Sequence, residues 1–230
     1  MRIQPFLLAG AALCGSAQAT VYEFEFTATI QEMVEFEPQT FTGGAVSSSA
    51  LSGNTVSVGD VVHGHFSYDT TTALFGNLGG GPMYAAPGAQ NSLGAHTDAG
   101  SLGLSNPGYS STNVQVLNNA AILGGGDGFG VANLSTNATA SQLMAISFFD
   151  PTGHALSDDA VPGAIDANAF SQSSFYYIYT SSTTHAMMGA NGTLTSLTEV
   201  TAVPEPETYG MLLTGLAAVG WAARRRRVAR

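Results

Sequence analysis

The sequence predicts an all-β protein: an antiparallel β-sandwich of jelly-roll type, preceded by an N-terminal signal peptide and followed by one C-terminal transmembrane helix. Three observations predict the sandwich. Short segments alternate apolar and polar residues with a period of two, which places successive side chains on opposite faces of a strand. Clusters of Gly, Asn, Asp and Pro separate those segments, as turns require. No amphipathic period of 3.6 residues occurs before residue 204, and many short strands without helices point to antiparallel sheets packed face to face.

The strands follow in chain order. Residues 21–30 set Tyr22, Phe24, Phe26, Ala28 and Ile30 on one face, with Val21, Glu23, Glu25, Thr27 and Thr29 on the other. A short run at 54–58 precedes 61–68, where Val62, Gly64, Phe66 and Tyr68 face one way. Further runs are 114–117, 129–134, 143–149 (Met144, Ile146 and Phe148 inward), 175–179 and 192–200. The run at 175–179 is apolar throughout, which predicts a central strand covered on both faces. Turns fall at Gly59-Asp60, at Asp150-Pro151-Thr152-Gly153 and at Ala190-Asn191-Gly192. Residues 43–53 and 76–112, dense in Gly and Ser, with Pro and Asn in the second, read as loops, the second a long irregular excursion.

Both ends carry handling signals. Arg2, an apolar stretch over residues 6–14 and the small-x-small site Ala17-Gln18-Ala19 predict a secretory signal peptide over 1–19, cut before Thr20. Cys14 is the chain's one cysteine. Removing it with the leader leaves a passenger over 20–202 without disulfide or thiol chemistry. At the other end stand Val203, Pro204, Glu205 and Pro206, an uncharged apolar run over 208–223, and then Arg224, Arg225, Arg226 and Arg227. The two prolines hold the motif extended. As a helix the run spans about 24 Å, short of a ~30 Å hydrocarbon core, so arginine snorkelling and local thinning are needed to seat it. The arginine cluster is a membrane stop that stays cytoplasmic.

Charge excludes whole classes of function. The six basic residues are Arg2 and five tail arginines, whereas all of the 16 acidic residues except Glu205 and Glu207 lie within 23–199. A passenger with no Lys or Arg cannot neutralise phosphates, which argues against nucleic-acid binding and phosphoryl transfer. An acidic surface suits a secreted protein that must stay soluble.

The order Pro-Glu-Pro, apolar span, arginine cluster resembles the PEP-CTERM sorting signal of Gram-negative bacteria, over residues 203–230. The resemblance implies recognition by an exosortase, a membrane-embedded cysteine transpeptidase, in systems that accompany exopolysaccharide production and biofilm. It implies as partners a signal peptidase, the exosortase, the inner membrane transiently, and exopolysaccharide. It also implies an anchor facing the periplasm that is cut near 203–207, before the passenger reaches the cell surface or medium. The passenger is more loosely similar to a group of such proteins through Gly64-His65-Phe66-Ser67-Tyr68-Asp69-Thr70-Thr71, the Asp150-Pro151-Thr152-Gly153 turn and a final strand at 192–197. That likeness supports a β-sandwich and brings no chemistry with it.

Chemical candidates are few. His63 and His65, two apart on a strand, project from one face as a potential metal-chelating pair, with Asp69 on the same side and solvent-facing polar residues as the plainer reading. His96, His154 and His185 stand isolated, in or near loops. Asp127, within Gly-Gly-Gly-Asp-Gly at 124–128, and Asp158 and Asp159 offer oxygen ligands for a structural calcium, although they match neither an EF-hand nor an RTX nonapeptide repeat; no other cofactor is expected. Glu23 with Glu25, and Glu35 with Glu37, are the paired acids that glycoside hydrolysis needs, yet glutamates on the outer face of an edge strand also keep such a strand unpaired. No Gly-x-Ser-x-Gly elbow occurs. Tyr84 and Tyr109 are candidate stacking platforms for a glycan, or else aromatics that anchor their loop. These readings favour a secreted, non-enzymatic surface or matrix protein. The alternatives are a polysaccharide-binding module and, behind it, a glycan-processing enzyme.

Overall fold

The structure is a computed structural model and describes residues 21–200. The signal peptide with Ala17, Ala19 and Thr20, the motif Val203-Pro204-Glu205-Pro206, the apolar span at 208–223 and the cluster Arg224 to Arg227 all lie outside the described residues. Among the described residues, fourteen strands follow in chain order. They are β1 (Val21–Glu37), β2 (Thr42–Ala45), β3 (Ser48–Ser49), β4 (Val56–Ser57), β5 (Val61–Asp69), β6 (Leu74–Leu78) and β7 (Gly81–Tyr84). Then come β8 (Ser92–Thr97), β9 (Gly100–Ser101), β10 (Tyr109–Ala120), β11 (Gly126–Thr136), β12 (Ala140–Asp150), β13 (Gln172–Ser181) and β14 (Met187–Val200). The described helices are two short 3₁₀ turns, Ala121–Leu123 and Ala167–Ala169. Among the described residues, no helix is long and apolar enough to cross a membrane.

The protein is all-β and antiparallel, as the alternation predicts. Twelve strands join one sheet in the order β6-β7-β10-β11-β12-β13-β14-β1-β5-β8-β9, with β2 added to the end of β1, while β3 and β4 form a separate pair. The two separate sheets of a jelly-roll sandwich therefore give way to one continuous sheet folded over on itself, in which β8 lies across β11 and β12. The link is β1, which pairs with β14 along one edge and with β5 along the other. Register shifts at Thr27/Ala28 and Ile30/Glu32 mark irregularities in the β1–β14 ladder, and such bulges bend a strand and raise its twist.

Four local expectations change. The turn expected at Ala190-Asn191-Gly192 lies inside β14, where all three residues pair with β1 and β13, because ladder partners on both sides override the local turn preference of Asn and Gly. Residues 76–112 are not an irregular loop: the edge hairpin of β6 and β7, the strands β8 and β9 and the start of β10 fall within or across them. Glycine and proline there serve tight turns between short strands, which composition alone cannot distinguish from a loop. Residues 43–53 likewise hold most of β2 and all of β3. The run at 175–179 is central in the sheet but covered on one face, with Phe175 and Tyr177 buried and Tyr176 exposed.

The core lies inside the fold of the sheet. Phe24 and Phe66 are directly opposed across β1 and β5, with ring centroids 5.0 Å apart. Tyr22 and Tyr68 repeat the arrangement at 5.6 Å. From the other half of the sheet, Phe148 reaches Phe66 at 6.4 Å and Phe129 meets Tyr68 edge-on at 5.2 Å. Gly64 makes room for this packing, because a Cβ there would sit 2.3 Å from the ring of Phe26. Burial pushes the Tyr68 phenol far above its usual range, and its hydroxyl donates to the Gly163 carbonyl. Phe148 also touches Phe129 and Phe170. Phe148→Ala is therefore expected to cost about 3–5 kcal/mol of stability in a urea titration, as for a buried aromatic cut to a methyl. Tyr176→Ala, on the exposed face of β13, should shift the midpoint far less.

Candidate functional site

The polar outer face of β1, β5 and β8 gathers the histidines. His63 and His65 both point outward from β5 and are exposed. The β5–β8 register sets His96 directly opposite His63, with the two imidazoles stacked at a centroid distance of 5.7 Å. His65 faces Glu25 of β1 on one side and Gly94 of β8 on the other. A Cβ at Gly94 would lie 2.9 Å from His65 Cε1, so the bare backbone lets that ring lie over β8. Together with Thr27 and Thr198, these side chains line a shallow groove. His96, isolated in the sequence, thus belongs to the face: strand register brings it in, and no local pattern signals register. Asp69 does not join them. It is buried, and its Oδ1 accepts the Thr71 N–H and hydroxyl at 2.8 and 2.7 Å, closing the turn after β5. Among the described residues, no group of three or more His, Cys, Asp or Glu is placed to hold a metal ion together.

The aspartates of the calcium reading are spread apart in role. Asp127 is completely buried, and its two oxygens accept backbone N–H groups of Asn119 at 2.7 Å and Leu156 at 2.8 Å. Asp150 faces it across β11 and β12. The Thr152 hydroxyl at 2.6 Å, the His154 N–H at 3.0 Å and the Thr152 N–H at 3.1 Å all donate to the Asp150 carboxylate. Those donors, the hydroxyl foremost, hold its pKa down to about 2. The pair therefore ties the chain before β11 and the turn after β12 to the end of the sheet through charge-assisted hydrogen bonds. Asp158 and Asp159 sit exposed in the following loop, where Asp158 accepts the Ala160 N–H.

The two tyrosines separate. Tyr84 is half-buried against the core, its hydroxyl donates to the Asp159 carbonyl, and burial raises its pKa. That is a loop anchor. Tyr109 is 56 % exposed and lines a groove of about 460 Å³ with Phe75, itself 71 % exposed. Asn91, Ser110, Ser111 and Thr112 are the polar residues that line the groove. Phase and composition in the Gly-rich stretch hid Phe75, although an aromatic in a segment that buries little was the available signal. The paired glutamates also change context. Glu23 and Glu25 are exposed on β1, but β1 is an interior strand paired on both sides, not an edge. Their placement keeps one face of the sheet polar and does not guard an edge.

A comparison with known protein families matches residues 202–227 to the PEP-CTERM protein-sorting motif. The chain thus carries that sorting signal near its C-terminus, the kind that an exosortase recognises, and its passenger is β-rich. No curated protein and no solved structure matches the chain.

Asp150 gives the described fold an acid dependence of known sign. Its folded pKa of about 2 lies below the ordinary 3.8, so its ionised form favours folding. That contribution is complete above the ordinary value and is lost as pH falls toward the folded one. Thermal melts across this window should show stability dropping with acidity in the wild type and a shallower drop in Asp150→Asn.

Proposed function

We propose that this chain is an exported cell-surface or extracellular-matrix protein whose β-rich passenger has no catalytic activity of its own. The observation that carries the reading is the sorting motif at 202–227. In this reading the signal peptide is removed before Thr20, and the apolar span at 208–223 holds the passenger at the inner membrane, facing the periplasm. Arg224 to Arg227 stop transfer on the cytoplasmic side. The exosortase then cuts near the Pro204-Glu205-Pro206 motif and releases the passenger or transfers it to another molecule. The acidic, Lys-free passenger favours solubility outside the cell and disfavours nucleic acid as a partner. Intact-mass measurement on medium and membrane fractions tests the route. The expected mature species starts at Thr20 and ends near residues 203–207, with any excess mass identifying an attached group. A chain that still ends at Arg230 in cells with an active exosortase overturns the proposal, and Glu205→Ala should make the uncut membrane form accumulate.

A second reading, a polysaccharide-binding module of the biofilm matrix, draws on the groove between Phe75 and Tyr109. Two exposed rings beside neutral hydrogen-bonding side chains suit stacking on sugar rings, and the absence of any Lys or Arg in the passenger favours an uncharged polymer over an anionic one. Glycan-array binding that is lost in Tyr109→Ala and kept in Tyr84→Phe would support this reading. Binding unaffected by Tyr109→Ala would remove the groove from it.

A further inference from the structure

We propose that His63 and His96 form a two-imidazole site for a borderline divalent transition-metal ion (Cu²⁺, Ni²⁺ or Zn²⁺) that clips β8 to β5. This goes beyond the sorting reading and does not depend on it. His63 and His96 are directly opposed across an antiparallel pair, with rings stacked at a centroid distance of 5.7 Å. Side chains opposed in this way start only about 5 Å apart at Cβ, close enough for one ion to reach a nitrogen on each ring. The pair His63 and His65, by contrast, is spaced about 7 Å along a single strand, and its two rings leave the backbone in parallel.

Three further observations point the same way. Neither the His63 nor the His96 ring takes part in a hydrogen bond among the described residues, so their nitrogens are not committed elsewhere. Both rings border a groove open to solvent, which leaves the remaining coordination positions to water. Nothing cationic competes, because no Lys or Arg lies between Arg2 and Arg224, while the acidic residues at 23–199 draw cations toward the surface. Ligand type sets the class of metal. Neutral imidazole suits Cu²⁺, Ni²⁺ and Zn²⁺, whereas Ca²⁺ and Mg²⁺ require oxygen cages that this face does not offer. With only two protein ligands the site is of moderate affinity. Its structural effect is local: β8 is followed only by the two-residue β9 at this end of the sheet, so a bridging ion tethers the edge.

Calorimetric titration of the full chain, purified without a histidine tag, tests this with CuCl₂, NiCl₂, ZnCl₂ and CaCl₂. The expected result is one transition-metal ion per chain, Cu²⁺ bound more tightly than Ni²⁺ or Zn²⁺, and Ca²⁺ far more weakly than any of them. Affinity should fall on acidification, since the imidazole that binds the ion is neutral and protons compete for it. His63→Ala and His96→Ala should each weaken Cu²⁺ binding about tenfold or more, and His65→Ala by less than either. All three positions are on the outer face, and circular dichroism checks that each variant is folded. No binding by the wild type, unchanged affinity in either His63→Ala or His96→Ala, an equal or larger loss in His65→Ala, or Ca²⁺ binding as tight as Cu²⁺ binding would each overturn the assignment.

Discussion

Aromatic rings packed between the two halves of the folded sheet are the interaction on which the rest of the described structure depends. Phe66 and Tyr68 of β5, stacked against Phe24 of β1, meet Phe148 of β12 and Phe129 of β11. The chain has few substitutes for this contact. One cysteine permits no internal disulfide, and the residues between Arg2 and Arg224 include no Lys or Arg to pair with the carboxylates. Cohesion must come from buried apolar area and ring geometry, where aromatic pairs add to the area term. The cross-strand pairing of Phe24 with Phe66 and of Tyr22 with Tyr68 means that the same residues set β-register and fill the core. A slip of one residue would turn all of them outward.

The charge pattern imposes a second constraint. An acidic domain without basic side chains has to place each carboxylate where water or N–H groups can satisfy it. The glutamates of β1 take the first course on its exposed face, while Asp127 and Asp150 take the second. The buried aspartates replace the ion pairs of an ordinary domain with backbone N–H and hydroxyl donors, and in doing so fix the loops at one end of the sheet. The outer face of β1, β5 and β8 is left polar, negatively biased and supplied with three imidazoles. It is a surface that attracts cations and repels polyanions.

What the sequence determined by itself is everything that depends on local order along the chain. Alternation marked β1, β5 and β12 with their inward faces, and the second part of β14, since a period of two is enough to sort side chains between core and solvent. The sorting signal was legible because Pro-Glu-Pro, an apolar run and an arginine cluster are read linearly, and the family comparison matches 202–227, overlapping the 203–230 read from the sequence. Tertiary structure alone decided what depends on pairing between distant segments. It joined the strands into one sheet through β1 and β14, whose contacts span most of the chain. It turned the Gly-rich 76–112 stretch into strands, because a ladder partner can stabilise residues whose own propensity is weak. It moved Tyr84 into a loop anchor and set Phe75 beside Tyr109. It also exchanged the His63–His65 pair for His63–His96, because the neighbour of a strand residue is set by register with another strand, a long-range quantity with no counterpart in the local sequence.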